Sequence, residues 1–159
     1  MNQKKMAFWL KTVIIFVDAL LAVFLIVVIP EVGKEIVIDY PEFSQAYIPW
    51  FILALLCGIV VYAALIIAWR VASNIGSDRA FSVENVRYLG QMAKLAVLVS
   101  LIYFAVNVIY LFLNINHPGI LVASALLSLL GICASIALSA LSHLTEKAAA
   151  IQKENDLTI

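Results

Sequence analysis

Charged side chains are scarce in this chain. Aspartate, glutamate, lysine and arginine make up 13% of the 159 residues, whereas 65% are hydrophobic and the mean hydropathy is +1.07. Soluble globular domains contain about 25% charged residues, so this composition excludes an ordinary soluble fold. The ten acidic and ten basic residues leave no net charge and no basic stripe. We therefore expect no direct contact with nucleic acid.

Cysteine and histidine are also rare, with two of each. Cys57 and Cys133 fall inside apolar runs, where we expect small buried side chains rather than a disulfide or a metal site. His117 and His143 are predicted to lie on opposite sides of a membrane, so they cannot share a metal ion. The chain has no glycine-rich phosphate loop and no Ser-His-Asp arrangement. We expect a protein that is not an enzyme and that binds neither metal nor cofactor.

Four long apolar runs dominate the chain. A helix needs about 20 apolar residues to cross a hydrocarbon core of roughly 30 Å, and each run is long enough. Each span must be helical, because unpaired backbone groups are too costly in lipid. The predicted fold is an all-α membrane protein, a single four-transmembrane-helix bundle over residues 1–159. Its spans are expected at about residues 8–29, 47–69, 90–113 and 119–141, followed by a cytoplasmic helical tail at 142–159.

The distribution of basic residues predicts the orientation of these spans. Of the ten lysines and arginines, only Lys34 falls in the segment between spans one and two, where four acids accompany it. The positive-inside rule therefore places both termini in the cytoplasm of a multi-pass protein of the bacterial cell membrane. The acidic outer segment also contains Ile-Val-Ile at 36–38, which favours a short extended stretch.

Asp18 is the one acid inside an apolar run. A carboxylate at that depth costs about 2.5–3.5 kcal/mol, so it needs a partner or a function. We expect Asp18 to hydrogen-bond Tyr103 or Ser128, which a depth count places at its level. Two other roles stay open, a proton or cation relay and a ligand contact in a cavity. The predicted intramembrane polar cluster consists of Asp18, Tyr103, Asn107 and Ser128.

Spans three and four carry two stripes at helical spacing. The polar residues of span three share one helix face, which should turn inward in lipid. The small residues of span four are typical of a seam where two helices approach closely. The first stripe is Ser100, Tyr103, Asn107, Tyr110 and Asn114, and the second is Ser124, Ser128, Gly131, Ser135 and Ser139.

The loop between spans two and three is the most structured polar segment. Ser82 precedes Val83-Glu84-Asn85 and is typical of a helix N-cap with an acid in the first turn. A helix is therefore expected to begin near Val83 and to run into span three. This loop and the tail carry apolar side chains that either pack on each other and on lipid headgroups or dock a soluble partner. The predicted docking residues are Phe81, Glu84, Asn85, Tyr88, Asp156, Leu157 and Ile159.

Two segments carry a resemblance to a known family. The stretch Arg-Ala-Phe-Ser-Val-Glu-Asn-Val-Arg-Tyr-Leu at 79–89 resembles the inner-loop signature of a bacterial four-span family of unknown function, the YoaS-like proteins. The ending Glu-Asn-Asp-Leu-Thr-Ile at 154–159 resembles the ending of the same family. Ala80 stands where that family usually has proline. The resemblance implies a membrane protein whose gene often lies beside a small Cro/CI-type helix-turn-helix regulator.

These features favour a non-enzymatic regulatory or sensing protein that binds a cytoplasmic partner such as a helix-turn-helix regulator. One alternative is a subunit of a small transporter or channel that works as a homo-oligomer and uses Asp18. Another is an immunity protein that meets a membrane-active peptide with its acidic outer segment, through Glu31, Glu35, Asp39 and Glu42.

Overall fold

The computed structural model describes residues 2–156, with the backbone alone at 155 and 156. Four of its helical segments are long and apolar enough to cross a membrane, and the described residues contain no strand. The predicted all-α four-span fold is confirmed. Its elements are α1 (Gln3–Val23), a π-helical segment (Phe24–Val28), α2 (Ile29–Asp39), a 3-10 turn (Pro41–Phe43), α3 (Ser44–Gly76), α4 (Val83–Phe112) and α5 (Pro118–Asp156).

The first span continues as helix far beyond its expected end. The extended stretch predicted at 36–38 is wrong, because α2 carries the helix to Asp39. Pro30 has no backbone N–H and would break a regular helical ladder. The π-helical segment lies directly before it, and there the Ile29 N–H donates to the carbonyl of Phe24, five residues back. The wider turn thus accommodates Pro30 without ending the helix.

The spans pack in the order α1, α3, α4, α5. Each packs on the next, and α4 and α5 share the longest interface. Within the described part of the chain, no pair of Cα atoms within 8 Å joins α1 or α2 to α4 or α5. The four spans therefore form an open row, in which α1 and α5 occupy the two edges.

Small residues set the close approach of α4 and α5. The Ser135 hydroxyl donates to the carbonyl of Ala93 at 2.7 Å, and the Ser142 hydroxyl donates to that of Val86 at 2.8 Å. A side chain at Gly131 would overlap Ser100 Oγ. The structure thus places the expected seam against α4, except at Ser139. Ser139 is exposed, because seven residues after 135 the helix returns to the same face at position 142.

The two ends of the row differ in charge. Successive spans run antiparallel, so the N-terminus, the α3–α4 loop and the end of α5 lie together, and we call this the basic end. The acidic end consists of α2, the 3-10 turn and the turn between α4 and α5. That the basic end faces the cytoplasm stays a prediction from the positive-inside rule.

Candidate functional site

Asp18 lies on α1 against α3, apart from the other members of the predicted polar cluster. The hydroxyl of Tyr62 on α3 donates to the Asp18 backbone carbonyl at 3.0 Å. Oδ1 of the Asp18 side chain is buried and has no hydrogen-bond partner among the described residues. The expected hydrogen bonds to Tyr103 or Ser128 are absent there, because α1 does not reach α4 or α5. Ser128 Oγ is likewise buried and without a partner.

Asn107 is the buried polar centre of the α4–α5 turn. Its side-chain amide donates to the carbonyl of Tyr103 at 2.9 Å on its own helix. The amide of Asn116 donates to both the carbonyl and the Oδ1 of Asn107, at 3.0 and 3.1 Å. Asn107 is fully buried, so these bonds hold the turn against α4. Sequence reasoning missed Asn116, although an amide within a tight turn is the kind of residue that satisfies the backbone groups there.

A pair of aromatic residues joins α3 to α4 at the same level. The Trp50 indole N–H donates to the carbonyl of Ile115 at 3.0 Å, and the Tyr110 hydroxyl donates to that of Pro49 at 2.8 Å. The rings of Trp50 and Tyr110 meet edge to face, with centroids 5.5 Å apart. Tyr110, in the part of the polar stripe nearest the acidic end, therefore packs α4 against α3.

The α3–α4 loop at the basic end is organised around Asn85. Its Oδ1 accepts from the Asn74 amide at 2.9 Å, and its own amide donates to the carbonyl of Ala80 at 3.0 Å and, more weakly, of Arg79 at 3.4 Å. Ser82 caps α4 as predicted, since its hydroxyl accepts from the Asn85 backbone N–H at 3.3 Å. Asn85 is only 1% exposed. Its predicted docking role is therefore corrected, since a buried side chain cannot contact a partner.

Other predicted docking residues of the loop are accessible. Phe81 is 55% exposed, and its neighbour Val83, which sequence reasoning did not single out, is 79% exposed. Glu84 lies 3.9 Å from the Arg79 guanidinium, in an exposed pair that contributes little stability. Tyr88 is half-buried, and its ring centroid lies 5.9 Å from the Arg70 guanidinium carbon.

The tail is a continuation of α5. Thr145 is buried at the level where α4 begins, and the helix then continues to Asp156. Leu144 and Ile151, two turns apart on one face, are both exposed. Asp156 ends the helix and its side chain is not described, while the predicted docking residues Leu157 and Ile159 lie outside the described residues. Among the described side chains, those of residues 2–154, no three from His, Cys, Asp and Glu are grouped closely enough to hold a metal ion.

Comparisons with known proteins give a family. Residues 31–159 match the family model described as "Protein of unknown function (DUF2975)". The chain is also 30% identical over 161 residues to the uncharacterized membrane protein YoaS of Bacillus subtilis (strain 168), and the match covers the whole of both chains. No solved structure matches the chain. The chain therefore belongs to the DUF2975 family of membrane proteins.

Proposed function

We propose that this membrane protein is a non-enzymatic regulator or sensor that docks a cytoplasmic protein on its basic end. The supporting observation is that the hydrogen-bonded α3–α4 loop and the start of α4 expose two apolar side chains, Phe81 and Val83, at the basic end. Exposed apolar side chains that a rigid scaffold presents are typical of interaction surfaces.

The hydrogen bonds of Asn85 favour binding through this loop. They join the end of α3 to the start of α4 and fix the backbone of the segment between them. A surface that is already ordered loses less conformational entropy when it binds, so more of its contact energy appears as affinity. We therefore assign Asn85 a positioning role and Phe81, Val83 and Glu84 a contact role.

The projecting end of α5 extends this surface. A helix of 39 residues at 1.5 Å per residue is about 58 Å long, roughly twice the thickness of the hydrocarbon core. The residues after Thr145 run past the start of α4, and Ile151 is exposed there. A soluble protein can therefore contact the loop and the tail together.

The partner that we propose is a small helix-turn-helix regulator encoded beside the gene, as the resemblance of residues 79–89 and 154–159 implies. Holding such a protein at the membrane would control its access to DNA. This requires no catalysis and no contact between the membrane protein and nucleic acid.

Co-purification in mild detergent tests this function. A neighbouring regulator should be retained by the wild-type protein, and Phe81→Ala should weaken its binding about 30-fold, since truncating a central aromatic contact costs roughly 2 kcal/mol. The matched control is Phe112→Ala, because Phe112 is 81% exposed but lies at the acidic end. The proposal fails if no regulator is retained, or if both variants retain it as well as the wild type does.

A second function is favoured by the unpartnered carboxyl oxygen of Asp18, namely that of a transporter or channel subunit that works as an oligomer. An acid inside a membrane commonly faces a partner or an ion path, and Asp18 lies where α1 meets α3, beside Tyr62. Under this alternative, Asp18→Asn abolishes pH-dependent flux in liposomes and leaves the helical content unchanged. Equal flux through both proteins would exclude it.

A further inference from the structure

A cavity of about 500 Å³ lies at the acidic end of the row. Its floor is the beginning of α3, with Tyr47 and Trp50. One wall is formed by the π-helical segment and α2, and the other by the turn between α4 and α5 together with Ile120 at the start of α5. The two walls remain apart because α1 and α2 do not pack against α4 and α5.

The π-helical segment forms, with α2, the cavity wall on the side of the first span. Its first and last residues, Phe24 and Val28, both line the cavity, whereas Val27 does not. π-helical turns inside α-helices occur frequently at functional sites. Close packing underneath keeps the wall in place, because Gly33 of α2 lies against the ring of Tyr47, where a Cβ atom would come within 2.5 Å of Cε2.

The lining is almost wholly hydrocarbon and aromatic. It contains no lysine, arginine, aspartate or glutamate, and its few polar side-chain groups belong to Tyr47 and Trp50 on α3 and to Asn116 and His117 on the α4–α5 side. The Asn116 amide is already bound to Asn107, and the Trp50 indole N–H is bound to Ile115. A polar solute would therefore lose its hydrogen bonds to water and gain few in return.

The position of the cavity restricts the occupant further. Phe24 and Phe51 belong to the apolar runs at residues 8–29 and 47–69, whereas Ile36 and Phe43 lie in the more polar segment between those runs. Since about 20 apolar residues span the hydrocarbon core, this places the cavity across the edge of the core. Its volume is in the range of about 300–1,000 Å³ that small ligands fill. A helix from a second copy, with a diameter of about 10–12 Å and a pitch of about 5.4 Å, would fill this volume with roughly one turn.

We propose that this cavity binds one acyl chain of a phospholipid from the leaflet at the acidic end. A chain that enters from the bilayer is already in an apolar medium, so the hydrophobic effect does not drive its entry. The favourable free energy of binding comes instead from dispersion contacts between the acyl chain and cavity walls that would otherwise face a void. The inference does not rest on the docking surface at the basic end.

Native mass spectrometry tests the site on full-length protein taken from vesicles of phosphatidylethanolamine and phosphatidylglycerol. The wild-type protein should retain one phospholipid per chain after other lipids have been stripped away. Val28→Phe places a larger side chain in the cavity and should reduce this occupancy about tenfold. The matched control is Val27→Phe, in the same π-helical segment but outside the cavity, and it should retain the lipid.

Fluorescence gives a second measurement, because Trp50 lies in the cavity floor. In a variant whose other two tryptophans, Trp9 and Trp69, are replaced by phenylalanine, a retained phospholipid with brominated acyl chains should quench Trp50 after transfer to detergent. Adding Val28→Phe should restore the emission, with the circular dichroism spectrum unchanged. Equal lipid retention by the Val28→Phe and wild-type proteins would overturn the proposal, as would a dimer without lipid or quenching that survives Val28→Phe.

Discussion

Replacing Asn85 by alanine should loosen the α3–α4 loop without unfolding the spans. The substitution removes two well-formed hydrogen bonds, with Asn74 at 2.9 Å and with Ala80 at 3.0 Å, and a weaker one with Arg79 at 3.4 Å. The partners left behind are in a region that is closed to solvent, since Asn85 is 1% and Asn74 is 9% exposed. The substitution therefore destabilises the loop in two ways: the hydrogen bonds are lost, and the buried groups left behind stay desolvated without a partner.

The size of the effect follows from these contacts. Each buried bond contributes about 1 kcal/mol net, and each partner left unsatisfied costs about 1–3 kcal/mol. Alanine is a better helix former than asparagine by roughly 0.5 kcal/mol, which offsets part of the loss in the first turn of α4. We expect the free energy of opening the loop to fall by about 3 kcal/mol, a change of roughly a hundredfold in the opening equilibrium.

Limited trypsin digestion measures this opening, since Arg79 and Arg87 lie in or beside the loop. Cleavage there should be about a hundredfold faster in Asn85→Ala, because proteolysis follows the population of the open form. The control is Glu84→Ala, whose exposed contact with Arg79 at 3.9 Å is expected to contribute less than about 0.5 kcal/mol. Cleavage of Asn85→Ala at the wild-type rate would refute the argument that this network holds the loop.

Three further predictions concern packing and orientation. Gly131→Ala should destabilise the α4–α5 pair by about 1–3 kcal/mol in thermal unfolding, because the new Cβ would overlap Ser100. The control is Gly90→Ala, which should not destabilise the pair, because its Cβ would lie 3.7 Å from the nearest side-chain atom. Equal melting temperatures of the two variants would contradict this prediction. Trp50→Phe should lose about 1 kcal/mol with its hydrogen bond, and the exposed Trp9→Phe should lose less; the reverse order would be inconsistent with the structure. In a cysteine-free background, a single cysteine in the tail should resist an impermeant thiol reagent in intact cells, and one in α2 should react; labelling of the tail would reverse the orientation.

Sequence patterns predicted the positions of the helices well, but they predicted poorly which helices and side chains contact one another. The length and apolarity of each run suffice to predict a span, and Ser82 followed by an acid correctly predicted where α4 begins. The β-branched run at 36–38 gave a wrong prediction of an extended stretch. Its β propensity is outweighed because these residues continue a helix that is already formed before them and that packs on α3. Residue propensity is weak evidence for secondary structure where tertiary contacts determine the backbone conformation.

The predicted polar cluster shows what a single sequence cannot provide. A depth count gives the level of a residue in the membrane but not the lateral order of the helices. The depth count gave Asp18 and Tyr103 similar levels, yet Asp18 lies at the contact of α1 with α3, and Tyr103 belongs to α4, which α1 does not touch. Asn85 was misassigned for a related reason, since its partner Asn74 is eleven residues earlier and only the folded loop brings their amides together.

The open row links the two proposals through thermodynamics. An acyl chain in the cavity would contact both walls at the acidic end and so bridge α2 and the α4–α5 turn, which do not otherwise pack. Such a ligand can influence docking at the basic end only if it binds the partner-bound and free forms with different affinity. The same coupling then requires the cytoplasmic partner to change the affinity for the lipid by an equal factor. A sensor built on this fold therefore needs a second arrangement of α2 relative to α5, whereas a row with a single arrangement would anchor its partner without reporting on the membrane.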